Sequence, residues 1–251
     1  MSATNKVTLV TGGGRGIGAA TARLLAARGH AVVVNCSRHE AEARQVVEQI
    51  AAAGGRAIAV QADVADATAV AAMFERVAAE LGPLTGLVNN AGITGPSGPL
   101  AAFDAAATRR VFEVNVIGTL LCAQQAAARM ARSQGGRGGA IVNISSVSSQ
   151  TGAGGMLVPY AASKGAVNSL TVGLARELAA EGIRVNAVMP GVIDTEIHAA
   201  AGLAERMPAL LALVPLKRMG TPEECAEAIA WLLSEASGYV TGTVLPVTGG
   251  R

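Results

Sequence analysis

The sequence has 251 residues, 51% of them hydrophobic and 15% charged, with a formal net charge of +2 at pH 7. That much apolar material builds a large core and excludes an intrinsically disordered chain. A charge so close to neutrality excludes electrostatic capture of nucleic acid or an anionic membrane as the main activity, and an aromatic content of 2% leaves little for stacking on bases or sugars.

Cys36, Cys122 and Cys225 are far apart, odd in number and without CxxC spacing. They read as free thiols in a reducing compartment, and no metal site is expected. No apolar run approaches the roughly 20 residues that span a bilayer. The start of the sequence has none of the charged, apolar and cleavage regions of a signal peptide, so a cytoplasmic location is expected.

In chain order, Val7–Thr11 reads as a buried strand and runs into a helix over about Gly16–Arg28. Ala31–Asn35 is the next strand, followed by a helix through Ile50. Arg56–Val60, Leu84–Asn89 and Ala140–Ser145 repeat the pattern, each followed by a helix-like stretch, and Arg184–Val188 and Val244–Val247 complete it. Strands rich in Val and Ile on both faces, separated by amphipathic helices, predict a parallel sheet covered on both sides. Right-handed crossovers make this an α/β, Rossmann-type doubly wound fold, and with no repeat or linker it reads as one domain over residues 1–251. Gly135–Gly139 is a surface turn, Trp231 on the last helix reads as core, and Asp194–Leu216 reads as a lid or a small structural excursion.

The first strand leads directly into Thr11-Gly12-Gly13-Gly14-Arg15-Gly16-Ile17-Gly18. A strand turning into a helix N-terminus presents free backbone N–H groups and the positive end of the helix dipole, which suits a diphosphate. The glycines let backbone approach ligand and helix approach sheet. The second strand ends at Asn35-Cys36-Ser37-Arg38, without the carboxylate that would grip the ribose hydroxyls of NAD. Ser37 can hydrogen-bond a 2′-phosphate, and Arg38 and Arg15 can neutralise it. NADP(H) is therefore the expected cofactor and NAD(H) the alternative.

Asp63 and Val64 follow the third strand, at the place for adenine; Asp63 can accept from the adenine amino group or cap the helix that starts near Asp66. Asn89-Asn90-Ala91-Gly92 ends the fourth strand, where buried amides must be hydrogen-bonded and so brace the sheet and shape the cofactor floor. Tyr160 and Lys164 stand four apart in a helical segment and face one direction. An ammonium beside a phenol favours phenolate and lowers the tyrosine pKa from about 10, making it a usable acid and base. Ser145 and Ser146 end the fifth strand, so one hydroxyl can point at the same pocket.

In this order, with Asn115 before the serine and Pro190-Gly191 and Thr195 after the lysine, the motifs resemble the short-chain dehydrogenase/reductase family along essentially the whole chain. The resemblance implies an enzyme that moves hydride between nicotinamide and a carbonyl or secondary alcohol. It implies that Tyr160 gives the proton to the carbonyl oxygen and Ser146 hydrogen-bonds that oxygen. Lys164 would hold the nicotinamide ribose and tune Tyr160, Asn115 would support a water relay, and Ile193 and Thr195 would contact the carboxamide.

The resemblance also implies a homotetramer. The stretch from Ser146 to Tyr160 is about one residue longer than in many members of the family. Thr94–Pro99 and an apolar wall of Met156, Leu157, Val158, Leu203, Met207, Leu210 and Leu211 are expected to border a neutral or weakly polar substrate. His198 either touches substrate or is an exposed helix-start residue. The competing reading is a dinucleotide-sensing protein that keeps the fold without turnover, and an intact Ser146, Tyr160 and Lys164 argues against it.

Overall fold

The computed structural model describes residues 6–197 and 201–251, so His198 lies outside the described residues. Seven strands form one all-parallel sheet: β1 (Lys6–Val10), β2 (His30–Cys36), β3 (Arg56–Gln61), β4 (Gly86–Asn89), β5 (Gly139–Ile144), β6 (Ile183–Pro190) and β7 (Val244–Val247). Their order across the sheet is β3-β2-β1-β4-β5-β6-β7. The direction of winding reverses between β1 and β4, which opens a crevice at the carboxyl edge of the strands.

Both faces are covered, and strand alternation decides which residue goes where. Val7, Leu9, Ala31 and Val33 pack against α3 (Ala67–Leu81), α5 (Gly118–Met130) and α7 (Val158–Leu178). Val10, Val32 and Val34 point the other way, onto α1 (Gly16–Ala27), α2 (Glu40–Ala52) and α9 (Pro222–Leu233). A strand buried on both sides carries apolar residues at every position, and this is why the runs could be read from the sequence. The expected doubly wound α/β fold is present; strand ends moved by one or two residues.

Three local features stand out. The helix α4 (Ala105–Phe112) does not stop before α5: a π-helical turn, Glu113–Ile117, joins them into a continuous 26-residue helix, Ala105–Met130. By length and composition this helix could cross a membrane, yet it is packed on the sheet as a core helix, with Val111, Cys122, Ala126 and Met130 buried. Trp231 is not core. It is 40% exposed, because α9 turns Cys225, Ile229 and Leu232 inward and leaves Trp231 on the outer face.

The segment read as a lid or a small structural excursion contains a 3-10 turn, Ala204–Arg206, and α8 (Met207–Ala212), in keeping with its Ala and Leu content. All three cysteines are free and buried. Burial raises the Cys122 and Cys225 thiols to about 12 and pushes Cys36 up as well.

Candidate active site

One cavity of about 570 Å³ runs along the carboxyl edge of the sheet. All but two of the residues singled out from the sequence as catalytic or cofactor-binding line it, from Gly12 and Arg38 at one end to Tyr160, Lys164 and Thr195 at the other. The exceptions are Gly18 and Asn115.

Gly18 lies beneath the glycine turn and not on the cavity wall: a Cβ there would meet the Gly12 carbonyl oxygen at 2.3 Å and Asn90 Nδ2 at 2.5 Å. Its contribution is close approach of helix to turn, not contact with a ligand. Asn115 is fully buried within the π-helical turn. Its side chain is committed to Ile93, accepting from the N–H at 2.8 Å and donating to the carbonyl at 2.9 Å, and it donates to Ser163 Oγ at 2.9 Å.

The turn itself is held by side-chain amides. Asn90 Nδ2 donates to the carbonyls of Thr11 and Gly12 at 2.8 and 2.9 Å, while Thr11 Oγ1 accepts from the N–H groups of Asn90 and Ala91, both at 3.0 Å. Asn35 does the same from the other side. Its Oδ1 accepts from Gly12 N at 3.3 Å, and its Nδ2 donates to Val60 and Ala62 carbonyls at 3.2 and 3.0 Å. Three strand ends and the glycine turn are thus fixed by two amides, of which the sequence reading gave a role only to Asn90. The signal for Asn35 was an amide closing an all-apolar strand, a group that burial obliges to find partners. Asn143 carries the same signal within Ile-Val-Asn-Ile; it accepts from Asn89 Nδ2 at 2.9 Å and donates to Thr171 Oγ1 at 3.0 Å.

Beyond β2, Ser37 and Arg38 are exposed on the cavity rim, and Arg15 faces them from the start of α1. His39, just before α2, and Glu42 on it also line this end, and the sequence carries no signal for either. Asp63 does not cap α3, since Asp66 does so by accepting from Thr68 and Ala69 N–H groups at 2.8 and 3.1 Å. Asp63 instead accepts from Ala65 N at 3.0 Å and pairs with Arg110, a cavity residue that sequence spacing gave no means to find.

At the other end the geometry separates the two serines. Ser145 Oγ is taken up by Asn168 Oδ1 at 2.5 Å. Ser146 is the one beside the Tyr160 side chain, close enough to act on its phenol, and its Oγ accepts from Ser148 N at 3.1 Å. The expected lowering of the Tyr160 pKa does not hold here: burial pushes the phenol above its ordinary value, and the neighbouring Ser146 hydroxyl only opposes this. The reason is where the ammonium goes. Lys164 Nζ donates to the Ile144 carbonyl at 2.7 Å and lies 5.7 Å from the centroid of the Tyr160 ring. Burial lowers Lys164 to about 8.

The apolar wall is partly as expected. Met156, Leu157, Leu203 and Leu210 line the cavity, whereas Val158, Met207 and Leu211 do not, and Val158 is 37% exposed. Of the Thr94–Pro99 stretch, Thr94 and Gly95 reach the cavity.

Residues 12–251 match a family model described as enoyl-(acyl carrier protein) reductase. The chain belongs to the short-chain dehydrogenases/reductases. It is similar to the oxidoreductase YgfF of Escherichia coli (strain K12), at 48% identity over 98% of this chain and 99% of that protein. A second relative is the cis-4-hydroxycyclohexanecarboxylate dehydrogenase of Sinomonas cyclohexanicum, at 46% identity over 98% and 96%. Among solved structures, a blue fluorescent protein from a metagenomic library, in complex with NADPH, superimposes with a TM-score of 0.89 at 38% identity, covering 98% of this chain and 97% of that one. As a member of this family the protein is an oxidoreductase that acts on the CH–OH/C=O couple with a nicotinamide cofactor.

Proposed function

We propose that the protein is an NADP(H)-dependent carbonyl reductase, reversible as a secondary-alcohol dehydrogenase, with Tyr160 as proton donor and acceptor. The observation that carries this reading is Tyr160 itself: a buried phenol, beside Ser146 and one turn from Lys164, on the wall of the cavity that begins at the glycine turn. The cavity fits the cofactor on its own terms. Gly12 has φ +61°, and a Cβ on it would stand 3.0 Å from Ala91 Cα, so the turn is shaped for close backbone approach. The cationic Arg15 and Arg38 beside Ser37 support a 2′-phosphate over bare ribose hydroxyls.

When bound, the nicotinamide supplies hydride to the carbonyl carbon. Tyr160 gives its proton to the carbonyl oxygen, and Ser146 stabilises the developing oxyanion. Lys164 would hold the nicotinamide ribose when the cofactor is bound, and its ammonium would draw the phenol down towards a usable pKa. Asn115, fixed behind Gly92, supports the route by which Tyr160 is reprotonated. Ile193 and Thr195, after Pro190-Gly191, orient the carboxamide.

The apolar wall suits a neutral or weakly polar carbonyl compound, and a relative named for dehydrogenating a ring alcohol supports a secondary alcohol as its counterpart. We also propose one domain over residues 1–251 with a lid at 194–216, a cytoplasmic location, and a homotetramer. The assembly would cover the groove that Leu121, Ala127 and Leu174 line between α5 and α7.

The test is NADPH oxidation, followed at 340 nm, with a panel of ketones, aldehydes and diketones. Turnover is expected, with a loss of about 10²- to 10⁴-fold in Tyr160→Phe. Tight NADPH binding with no turnover on any carbonyl would favour a dinucleotide sensor instead.

A further inference from the structure

We propose that Arg110 is a positioning residue for the adenine end of this site: it holds the Asp63 carboxylate so that its remaining lone pairs accept from the adenine amino group. The proposal rests on the cofactor reading above and adds a residue to it. Asp63 stands just past β3 and, like Arg110, lines the cavity. Its capping alternative is already filled by Asp66.

Two contacts fix the carboxylate: Oδ1 accepts from Ala65 N at 3.0 Å, and Oδ2 accepts from Arg110 Nη2. Each carboxylate oxygen can accept twice, so both keep acceptor capacity. Arg110 comes from α4, 47 residues further along the chain. Its other arm, Nη1, lies 3.5 Å from Glu113 Oε2 on the next turn. A guanidinium held between two carboxylates has its rotamer defined from both sides, and its planar fork transmits that definition to Asp63.

The electrostatics agree with the geometry. Burial alone would raise the Asp63 pKa, yet the Ala65 N–H, Arg110 and the nearby Arg38 outweigh it and hold the group below its ordinary value. A carboxylate kept ionised is an acceptor only. It therefore favours a base that presents an amino group at that position and disfavours one that presents a carbonyl.

The experiment compares the dissociation constants of NADPH and its analogue with hypoxanthine in place of adenine, by titration calorimetry or cofactor fluorescence. The wild-type protein is expected to prefer NADPH by about ten-fold, the scale of a lost hydrogen bond to a charged group. Asp63→Ala should remove the preference, Arg110→Met should bring the ratio close to one, and Arg110→Lys should restore part of it.

Melting of each variant without cofactor shows whether it is folded. If Arg110→Met is not, the Lys variant carries the test alone, and a ratio equal to wild type there overturns the proposal. A full ten-fold ratio in folded Arg110→Met also overturns it, as does a wild-type protein that binds the two dinucleotides equally. Failure of the wild-type protein to bind either one would overturn the cofactor reading instead.

Discussion

The glycine-turn end of the cavity is held by hydrogen bonds between the side chains of Asn35, Thr11 and Asn90 and the backbone, whereas the Tyr160 end is held by apolar contact. At the Tyr160 end Ala153, Leu157 and Tyr160 pack with Ala201 and Leu203, and Val192, Leu210 and Val214 form a second small cluster. Met156 touches both. Hydrogen bonds with fixed directions specify one geometry, while small apolar clusters tolerate changes of shape at modest cost. The molecule thus pairs a rigid seat for a constant cofactor with an adjustable wall for the variable reactant.

The sharpest way to break the rigid end is Gly18→Ala. Its Cβ would overlap the Gly12 carbonyl and the Asn90 amide, and neither the backbone nor a doubly bonded amide can yield. The expected cost is about 3 kcal/mol of stability, measured by urea denaturation, together with loss of cofactor binding. A wild-type melting curve would show that the turn is less constrained than its hydrogen bonds imply.

Lys164 stands beside Tyr160, and its titration tests whether burial governs the site. The folded state lowers its pKa from 10.5 to about 8. Between those values the unfolded chain still holds a proton that the folded protein has released, so stability rises with pH through this window. In the cofactor-free protein a gain of the order of 1–2 kcal/mol is expected from pH 7.5 to 9.5. Lys164→Met should flatten the profile; an identical slope in that variant would assign the effect elsewhere.

At the phosphate rim, Arg38→Ala should weaken NADPH by about ten-fold and leave NADH unchanged, as fits loss of one exposed charge-assisted contact. Thermal shifts with each cofactor check this, and equal losses for both would contradict 2′-phosphate recognition. The smallest effect is expected at the apolar wall. Met156→Ala should cost less than about 1 kcal/mol, since the side chain is only partly buried. It should raise kcat/KM a few-fold for bulkier ketones, and no change across a size series would remove Met156 from the substrate wall.

The same contrast explains what the sequence revealed. Buried parallel strands announce themselves as continuous apolar runs, and the glycine turn, Asn90 and the Tyr160–Lys164 spacing are local patterns. The π-helical turn at Asn115 leaves no mark in the sequence, because one extra residue in a turn barely disturbs the apolar period. The Arg110–Asp63 pair was invisible, since two surface-type charges 47 residues apart leave no local trace. Trp231 was misplaced because size suggests burial, while only packing tells which face of α9 turns inward. Likewise the tyrosine–lysine spacing located the pair correctly but said nothing of the Ile144 carbonyl that draws the ammonium aside.

The three buried cysteines give the protein its own clock. With Cys122 and Cys225 raised to about 12, almost no thiolate exists at neutral pH, and alkylating reagents have nothing to attack until the chain opens. Cys122 belongs to the core on one face of the sheet, and Cys225 is fully buried on α9, which covers the other. The order in which an alkylating label reaches these thiols would therefore record which face of the sheet is uncovered first.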